Sequence, residues 1–453
     1  MTIYPNFLDI VKHEIYIRFA LCSWRFFRSP DGSGEIARNE NLDPTPEKQS
    51  QGAPMRICDI RTTIVSIPFR EPETWAFGRR LGISNVIIEI ETETGEIGIG
   101  EAVGYPSVRV VKEALNAMRP VILGRDAFDH EVIIHELTQV YGWHHFRHTG
   151  GCALGGIDMA LWDLVGKATG LPLHRLFGGT FRTKIRYYWY VPNNELKLMV
   201  EVAQQGVAQG FDTVYVKLGT GFERDLEVAR KLREAIGNGV KLRVDANEAW
   251  SDGTARELMR RMSQYNIEFF EQPLCFYDHD GAADLRTALG LAIGANQSAW
   301  DEADILEIIK KRAADVVLTD QHQLGSLSRF SRAGWLLATA GIPIVKHSFG
   351  DLGISTAAAM HIMATCPNFT KANQTHLTVL TDDVVEGGLP KFTNGCLALP
   401  HEPGLGVRID RQRLQKYNRC YEEKGEFTSY GPGGHDLVKE LEDSGSVKST
   451  TTQ

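Results

Sequence analysis

KLRVDANEAWSDGTARELMRRMSQYNIEFFE, residues 241–271, reads as a strand, a helix and a second strand in succession. KLRVD and IEFFE are short apolar runs, and GTARELMRRMSQY between them has helical periodicity. Each run closes on an acid, Asp245 and Glu271. The unit repeats on both sides: TVYVK ends on Lys217, LAIGAN on Asn296, DVVLTD on Asp320 and IPIVKH on His347. Successive polar residues are 28, 26, 25, 24 and 27 positions apart, the length of a strand with its return helix. An α/β chain with one polar group at each strand end predicts a (β/α)8 barrel that aims its catalytic side chains into one pocket.

Outward from this core, further helices are expected in ERDLEVARKLREAI, AADLRTALG, DEADILEIIKKRA and LSRFSRAGWLLATAG, and THLTV is a candidate eighth strand. Upstream, the pattern over about 55–183 is a small α+β domain. Met55–Pro68 reads as a strand, and NVIIEIETETGEIGIGE as another with a hairpin turn at its Thr-Gly-Glu. ALGGIDMALWDLVGKATG reads as a mostly buried helix stopped by Gly170. Residues 1–54 form an atypical leader with a polar stretch, SPDGSGEIARNENLDPTPEKQSQGAP, that reads as disordered linker, and 427–453 reads as a frayed tail. One reading makes Met55 the functional start. An organelle-targeting leader fits less well, because Asp9 and Glu14 interrupt it.

Composition narrows the class. The 453 residues, 43% hydrophobic and 23% charged, are those of an ordinary globular protein. A net charge of −8 argues against a general nucleic-acid binder. No run of about 18 uncharged apolar residues offers a membrane span. The seven cysteines are dispersed and include no CxxC pair, which fits a reducing, cytoplasmic setting.

Asp245, Glu271 and Asn296 end three consecutive predicted strands, so their oxygens converge. Two carboxylates and an amide suit a hard cation, above all Mg²⁺. Alone, each could equally be solvated or cap the next helix; three in register favour a metal. Lys217, one strand earlier, could point into the barrel mouth as a base or lie on the surface. Asp320 and His347 end the next two strands, where an acid orients an imidazole and stabilises its protonated form. A base on each side of a divalent cation fits proton abstraction next to a carboxylate, with the metal stabilising the enediolate.

These residues resemble those of the enolase superfamily, in its mandelate racemase and glucarate dehydratase branches. GCALGGIDMALWDLVGKATGLPLHRLFGG, VYVKLG, LRVDANEAW, FFEQPL, DVVLTD, IPIVKHS and LPHEPGLGVRID carry the resemblance, which spans about 55–415. It implies a (β/α)7β modified TIM barrel over 184–385 under an α+β N-terminal capping domain (55–183), to which residues 386–426 return. It implies Mg²⁺ on Asp245, Glu271 and Asn296, with Asn247 nearby. Lys217 matches the second lysine of a Lys-x-Lys motif, Asp320 and His347 match a catalytic dyad, and Glu386 matches a late acid that binds the substrate carboxylate. In two places the chain departs from the pattern. Tyr215 replaces the first lysine and brings a hydrogen bond without a fixed charge. Asn296 stands where many members carry an acid, which leaves a stronger positive field for a polyanionic substrate.

In the capping-domain loops, EPETWAFGRRL supplies Trp75, Arg79 and Arg80, and YGWHHFRHTGG supplies His144, His145, Arg147 and His148. Arg79 and His145, with Tyr215, Asn247 and Glu386, are candidate substrate contacts in a pocket suited to a hydroxylated anion. The expectation is a Mg²⁺-dependent hydro-lyase that dehydrates an acid sugar or related hydroxy acid. Racemisation, epimerisation or cycloisomerisation of a carboxylate on the same groups is the second reading, and a non-catalytic member of the fold the third. A homo-oligomer acting on a small carboxylate is expected.

Overall fold

β1 (Ile57–Trp75), β2 (Gly78–Thr92) and β3 (Ile97–Val103) form an antiparallel sheet in that order. The computed structural model describes residues 54–427; the leader and tail readings fall outside them. The turn after β2 closes as expected, with Thr92 N–H donating to Glu96 O at 3.0 Å. Gly95 takes a φ of +88° there, which a side chain disfavours. β1 runs well beyond Pro68. After a register shift it re-pairs with β2 as Glu73 with Arg80, Thr74 with Arg79 and Trp75 with Gly78. EPETWAFGRRL, expected as a loop, is therefore the tip of a hairpin. The helix Arg147–Thr169 packs on this sheet and stops at Gly170.

The second layer is a parallel sheet of β5 (Trp189–Val191), β6 (Thr213–Lys217), β7 (Lys241–Asp245), β8 (Ile267–Glu271), β9 (Ile293–Ala295), β10 (Val316–Thr319) and β11 (Ile344–Lys346), paired in sequence order. β4 (Lys184–Arg186) pairs instead with β12 (Cys396–Ala398). The return helices Phe222–Ile236, Asp252–Met262, His279–Leu289, Glu302–Lys311 and Leu327–Thr339 occupy the expected segments. Phe269 of β8, Val316 and Leu318 of β10 and Val345 of β11 form an apolar cluster, a packed centre rather than a pore.

The eighth stave differs from expectation. THLTV, residues 375–379, is not a strand. The barrel closes just upstream, on Asn373 and Gln374. Tyr188 N–H donates to Asn373 O at 3.0 Å, and Gln374 N–H donates to Lys346 O at 2.9 Å. Side-chain amides complete the seam: Asn373 Oδ1 accepts from Lys346 N–H at 2.9 Å, and Gln374 Oε1 from Ser348 N–H at 3.1 Å. No apolar run marks this stave, because buried amides take the place of part of the ladder. The result is a (β/α)7β barrel covered by an α+β domain.

After the barrel, the helix Arg411–Lys424 returns to the antiparallel sheet. Asp410 caps it, and Asn418 Nδ2 donates to Ile64 O at 2.9 Å. Glu101 on β3 binds the barrel in turn, accepting from Leu352 N–H at 2.7 Å and Ser355 N–H at 2.9 Å. Among the described residues no helix is long and apolar enough to cross a membrane.

Candidate active site

All six polar residues of the ladder stand at one end of the barrel. Lys217, Asp245 and Glu271 are the last residues of β6, β7 and β8, and Asn296, Asp320 and His347 follow β9, β10 and β11 directly. Register makes neighbours of Lys217 and Asp245, and of Asp245 and Glu271. A cavity of about 200 Å³ opens over this end, lined by Lys217, Asn247, Glu248, Gln297, His347, Ser348 and His376 from the barrel side. Glu73, Trp75, Phe77, Arg80 and Tyr105 line it from the other domain.

Asp245 is held by three hydrogen bonds. Its Oδ2 accepts from Tyr215 OH at 2.6 Å and from Asn247 Nδ2 at 2.7 Å, and its Oδ1 from Asn247 N–H at 2.8 Å. Asn247 adopts a φ of +44°, a conformation that turns its amide back over the strand end. Its Oδ1 accepts from Lys217 Nζ at 3.0 Å, and Lys217 Nζ also lies 3.8 Å from Asp245 Oδ2. Gln272 organises the next stave, its Oε1 accepting from Asn296 N–H at 2.9 Å. Burial pushes the Asp245 carboxyl up despite Lys217 and Tyr215. Burial, and then the adjacent Asp245 charge, push Glu271 well above the usual carboxylate range.

His347 faces the cavity with Nδ1 3.0 Å from Asp320 Oδ2. Asp320 is fixed from behind, its Oδ1 accepting from His322 N–H at 2.7 Å and Gln323 N–H at 2.8 Å. Burial lowers the His347 pKa, with Asp320 pulling the other way. Burial likewise works against the Asp320 charge, but the hydrogen bond from His347 prevails and holds that carboxyl below its usual range. The imidazole is thus neutral at rest and has a carboxylate ready to stabilise its protonated form.

Some expected contacts lie elsewhere. Arg79 is exposed, on the opposite face of β2 from Arg80, which lines the cavity. His145 is exposed on a short turn of 3₁₀ helix, Trp143–His145. Glu386 is exposed too, because a bridge between Val385 and Ile409 ties its backbone to the C-terminal segment. Arg147 pairs with Asp304 at 2.8 Å, at the start of the helix Glu302–Lys311.

Comparison with known proteins agrees with this architecture. Residues 58–178 match the mandelate racemase / muconate lactonizing enzyme N-terminal domain, and residues 198–413 the enolase C-terminal domain-like family. The chain belongs to the enolase superfamily. Its place is the mandelate racemase and muconate lactonizing enzyme branch. It is 30% identical over 361 residues to a hydrophobic dipeptide epimerase of Enterococcus faecalis, covering 78% of this chain and 99% of that one. It is 30% identical over 343 residues to an arabinonate dehydratase of Saccharolobus solfataricus, covering 73% and 90%. The crystal structure of the E. faecalis dipeptide epimerase with Mg and L-Leu-L-Tyr superposes with a TM-score of 0.72 at 29% identity, covering 78% of this chain and 99% of that chain. Dehydratases, epimerases and cycloisomerases all occur among these superfamily relatives.

The superfamily's metal fits the residues present. Both carboxylate oxygens of Glu271 are buried without a hydrogen-bond partner. Leaving them so costs about 1–3 kcal/mol or more, which a bound cation would offset. The Asn296 amide nitrogen is committed to Leu318 O at 3.2 Å, so its oxygen is left to offer. Asp245, Glu271 and Asn296 would hold Mg²⁺, which in this superfamily supplies positive charge for a substrate carboxylate.

Glu73, Tyr190 and His376 escaped the sequence reading. Glu73 is 2% exposed, accepts from Tyr190 OH at 2.7 Å, pairs with Arg80, and lies 3.5 Å from His376 Nε2. Burial drives the His376 pKa down to about 4, so its ring is neutral. The one available signal was the parity of β1 and β2, which the loop reading of EPETWAFGRRL hid.

Proposed function

We propose that this chain is a Mg²⁺-dependent hydro-lyase that dehydrates a hydroxy acid of the acid-sugar type. The observation that carries this reading is the His347–Asp320 dyad, its imidazole facing the cavity beside the three metal-type ligands, with Lys217 on the far side. In stave order Lys217 and His347 are well apart, with Asp245, Glu271 and Asn296 between them. Asp245, Glu271 and Asn296 would hold Mg²⁺, whose charge would hold a substrate carboxylate with its α-carbon between Lys217 and His347. Neutral His347 takes the α-proton, and Asp320 stabilises the imidazolium formed. The imidazolium returns that proton to the β-hydroxyl, which leaves as water, and the enol product tautomerises to a 2-keto acid. Asn247, Gln297 and Ser348 offer neutral polar groups to further hydroxyls. The 30% identity to an arabinonate dehydratase supports the reading.

A second reading rests on Lys217. For a substrate without a β-hydroxyl, Lys217 can return a proton to the opposite face, which is racemisation or epimerisation. The identity to a dipeptide epimerase supports it equally at the level of sequence. A library of acid sugars and hydroxy acids with Mg²⁺ separates the two. Dehydration releases a 2-keto product. Epimerisation gives solvent deuterium at the α-carbon with no keto acid. Absence of 2-keto product from every member of the library refutes the first reading.

A further inference from the structure

Each proton-transfer group in this cavity stands beside a buried carboxylate from outside the metal set. For His347 it is Asp320, from the neighbouring stave. For Lys217 the geometry points to Glu73, a residue of the capping domain. We propose that Glu73 is the positioning residue of Lys217 and that docking of the β1–β2 hairpin assembles that half of the site. The inference rests on the proposed chemistry for its kinetic meaning, and on the geometry alone for its structural one.

Glu73 Oε1 lies 3.9 Å from Lys217 Nζ. The same carboxylate reaches three consecutive staves: His376 just past the seam, Tyr190 on β5 and Lys217 on β6. Its cross-strand partner Arg80 extends the clamp, donating to Phe349 O at 2.5 Å and lying 3.0 Å from His376 Nε2. Burial works against the Glu73 charge, but Arg80, His376 and Lys217 together keep its carboxyl well below the usual range. The hairpin tip has a fitted seat. A Cβ on Gly219, two residues past Lys217, would stand 2.9 Å from Ala76 Cβ and 2.6 Å from Ala249 Cβ. Lys217 otherwise has Asn247 and Asp245 on its barrel side. Glu73 supplies the constraint from above, so the ammonium is held between two domains.

Face-selective exchange tests this. In deuterated water with Mg²⁺, each enantiomer of an exchanging α-substituted carboxylate reports the base on its own side. Glu73→Gln keeps an acceptor for Tyr190 and removes the charge. The expected result is about 100-fold slower exchange on the Lys217 face, as for a group displaced by about an ångström. The His347 face should stay within about threefold, measured below the variant's own thermal midpoint, which loss of a charge buried against Arg80 lowers. Asp320→Asn should give the mirror pattern. Equal slowing of both faces, or slowing of neither, overturns the proposal. Glu73→Asp keeps the charge but withdraws it by one methylene, and should fold and show the same selectivity more weakly. If wild type exchanges no carboxylate, the chemistry fails while the positioning claim is decided by crystallography. In Glu73→Gln crystals Lys217 Nζ should leave Asn247 Oδ1, from which it now stands 3.0 Å. An unmoved Nζ refutes the positioning role whatever the substrate.

Discussion

Asp320→Asn is nearly isosteric, yet the structure gives it a large effect. Asp320 Oδ1 is fixed as the acceptor for His322 and Gln323 N–H, at 2.7 and 2.8 Å. An asparagine must keep its oxygen there, so its NH₂ replaces Oδ2 opposite His347 Nδ1. That nitrogen must then accept, which places the ring proton on Nε2, the side facing the cavity. The base is lost by tautomer choice, and the carboxylate that stabilised the imidazolium is lost with it. Loss of the charge-assisted hydrogen bond alone is worth about 1.5–3 kcal/mol, or roughly 10- to 150-fold in rate. With the wrong tautomer the fall should reach on the order of 10²- to 10⁴-fold. The pH dependence carries a second signature. Burial lowers the His347 pKa and Asp320 raises it, so the variant's pKa must drop further. The acid limb of kcat/KM, where His347 becomes protonated, should therefore move to lower pH while kcat falls. Nuclear magnetic resonance of α-proton exchange across pH measures both, with a melting curve as the folding control. A rate within threefold of wild type, or an acid limb that stays put or moves up, refutes the argument.

Three further outcomes are expected. Mg²⁺ at about one hundred times its Kd should stabilise the wild type by about 2.7 kcal/mol, and Glu271→Gln should abolish most of that gain in thermal melts. Gly219→Ala places a side chain at φ +84° against the hairpin tip, so it should cost about 1–3 kcal/mol and raise KM, read by melting and steady-state kinetics. Burial holds His361 down to about 4 in the folded chain. The unfolded chain protonates first, near pH 6.5, so stability is full above that value and falls by about 3 kcal/mol as pH drops to 4. Glu101, raised to about 7 by burial, slopes the opposite way, and His322 and His376, each held near 4, slope the same way, so the test is the difference: between pH 6.5 and 4, His361→Asn should lose about 3 kcal/mol less stability than wild type in denaturation.

The barrel ladder was legible because each polar residue ends an apolar run and its effect is local to one strand. Lys217, Asp245 and Glu271 needed only strand length and spacing. Glu73 carries no such mark, since its meaning depends on β1 meeting three staves more than one hundred positions away. Arg79 and Arg80 could be told apart only by strand parity, and their segment was expected as a loop. The eighth stave misled because ANQ is polar and buried, and so has no strand-like pattern. Glu386 was placed by register in a segment with few apolar anchors, and its side chain faces outward.

The amide seam has a bearing on how this molecule breathes. Between β11 and the closing stave, two of the three bonds involving Lys346, Ser348, Asn373 and Gln374 run through side chains. Side-chain amides rotate more easily than a continuous ladder shears. In amide hydrogen exchange, Lys346, Ser348 and Gln374 should therefore report sub-global opening before the β6–β8 staves do. His347 stands on one bank of this seam, and Tyr190 with its bound Glu73 beyond the other. The line along which the barrel first parts is also the line that separates its two proton-transfer groups.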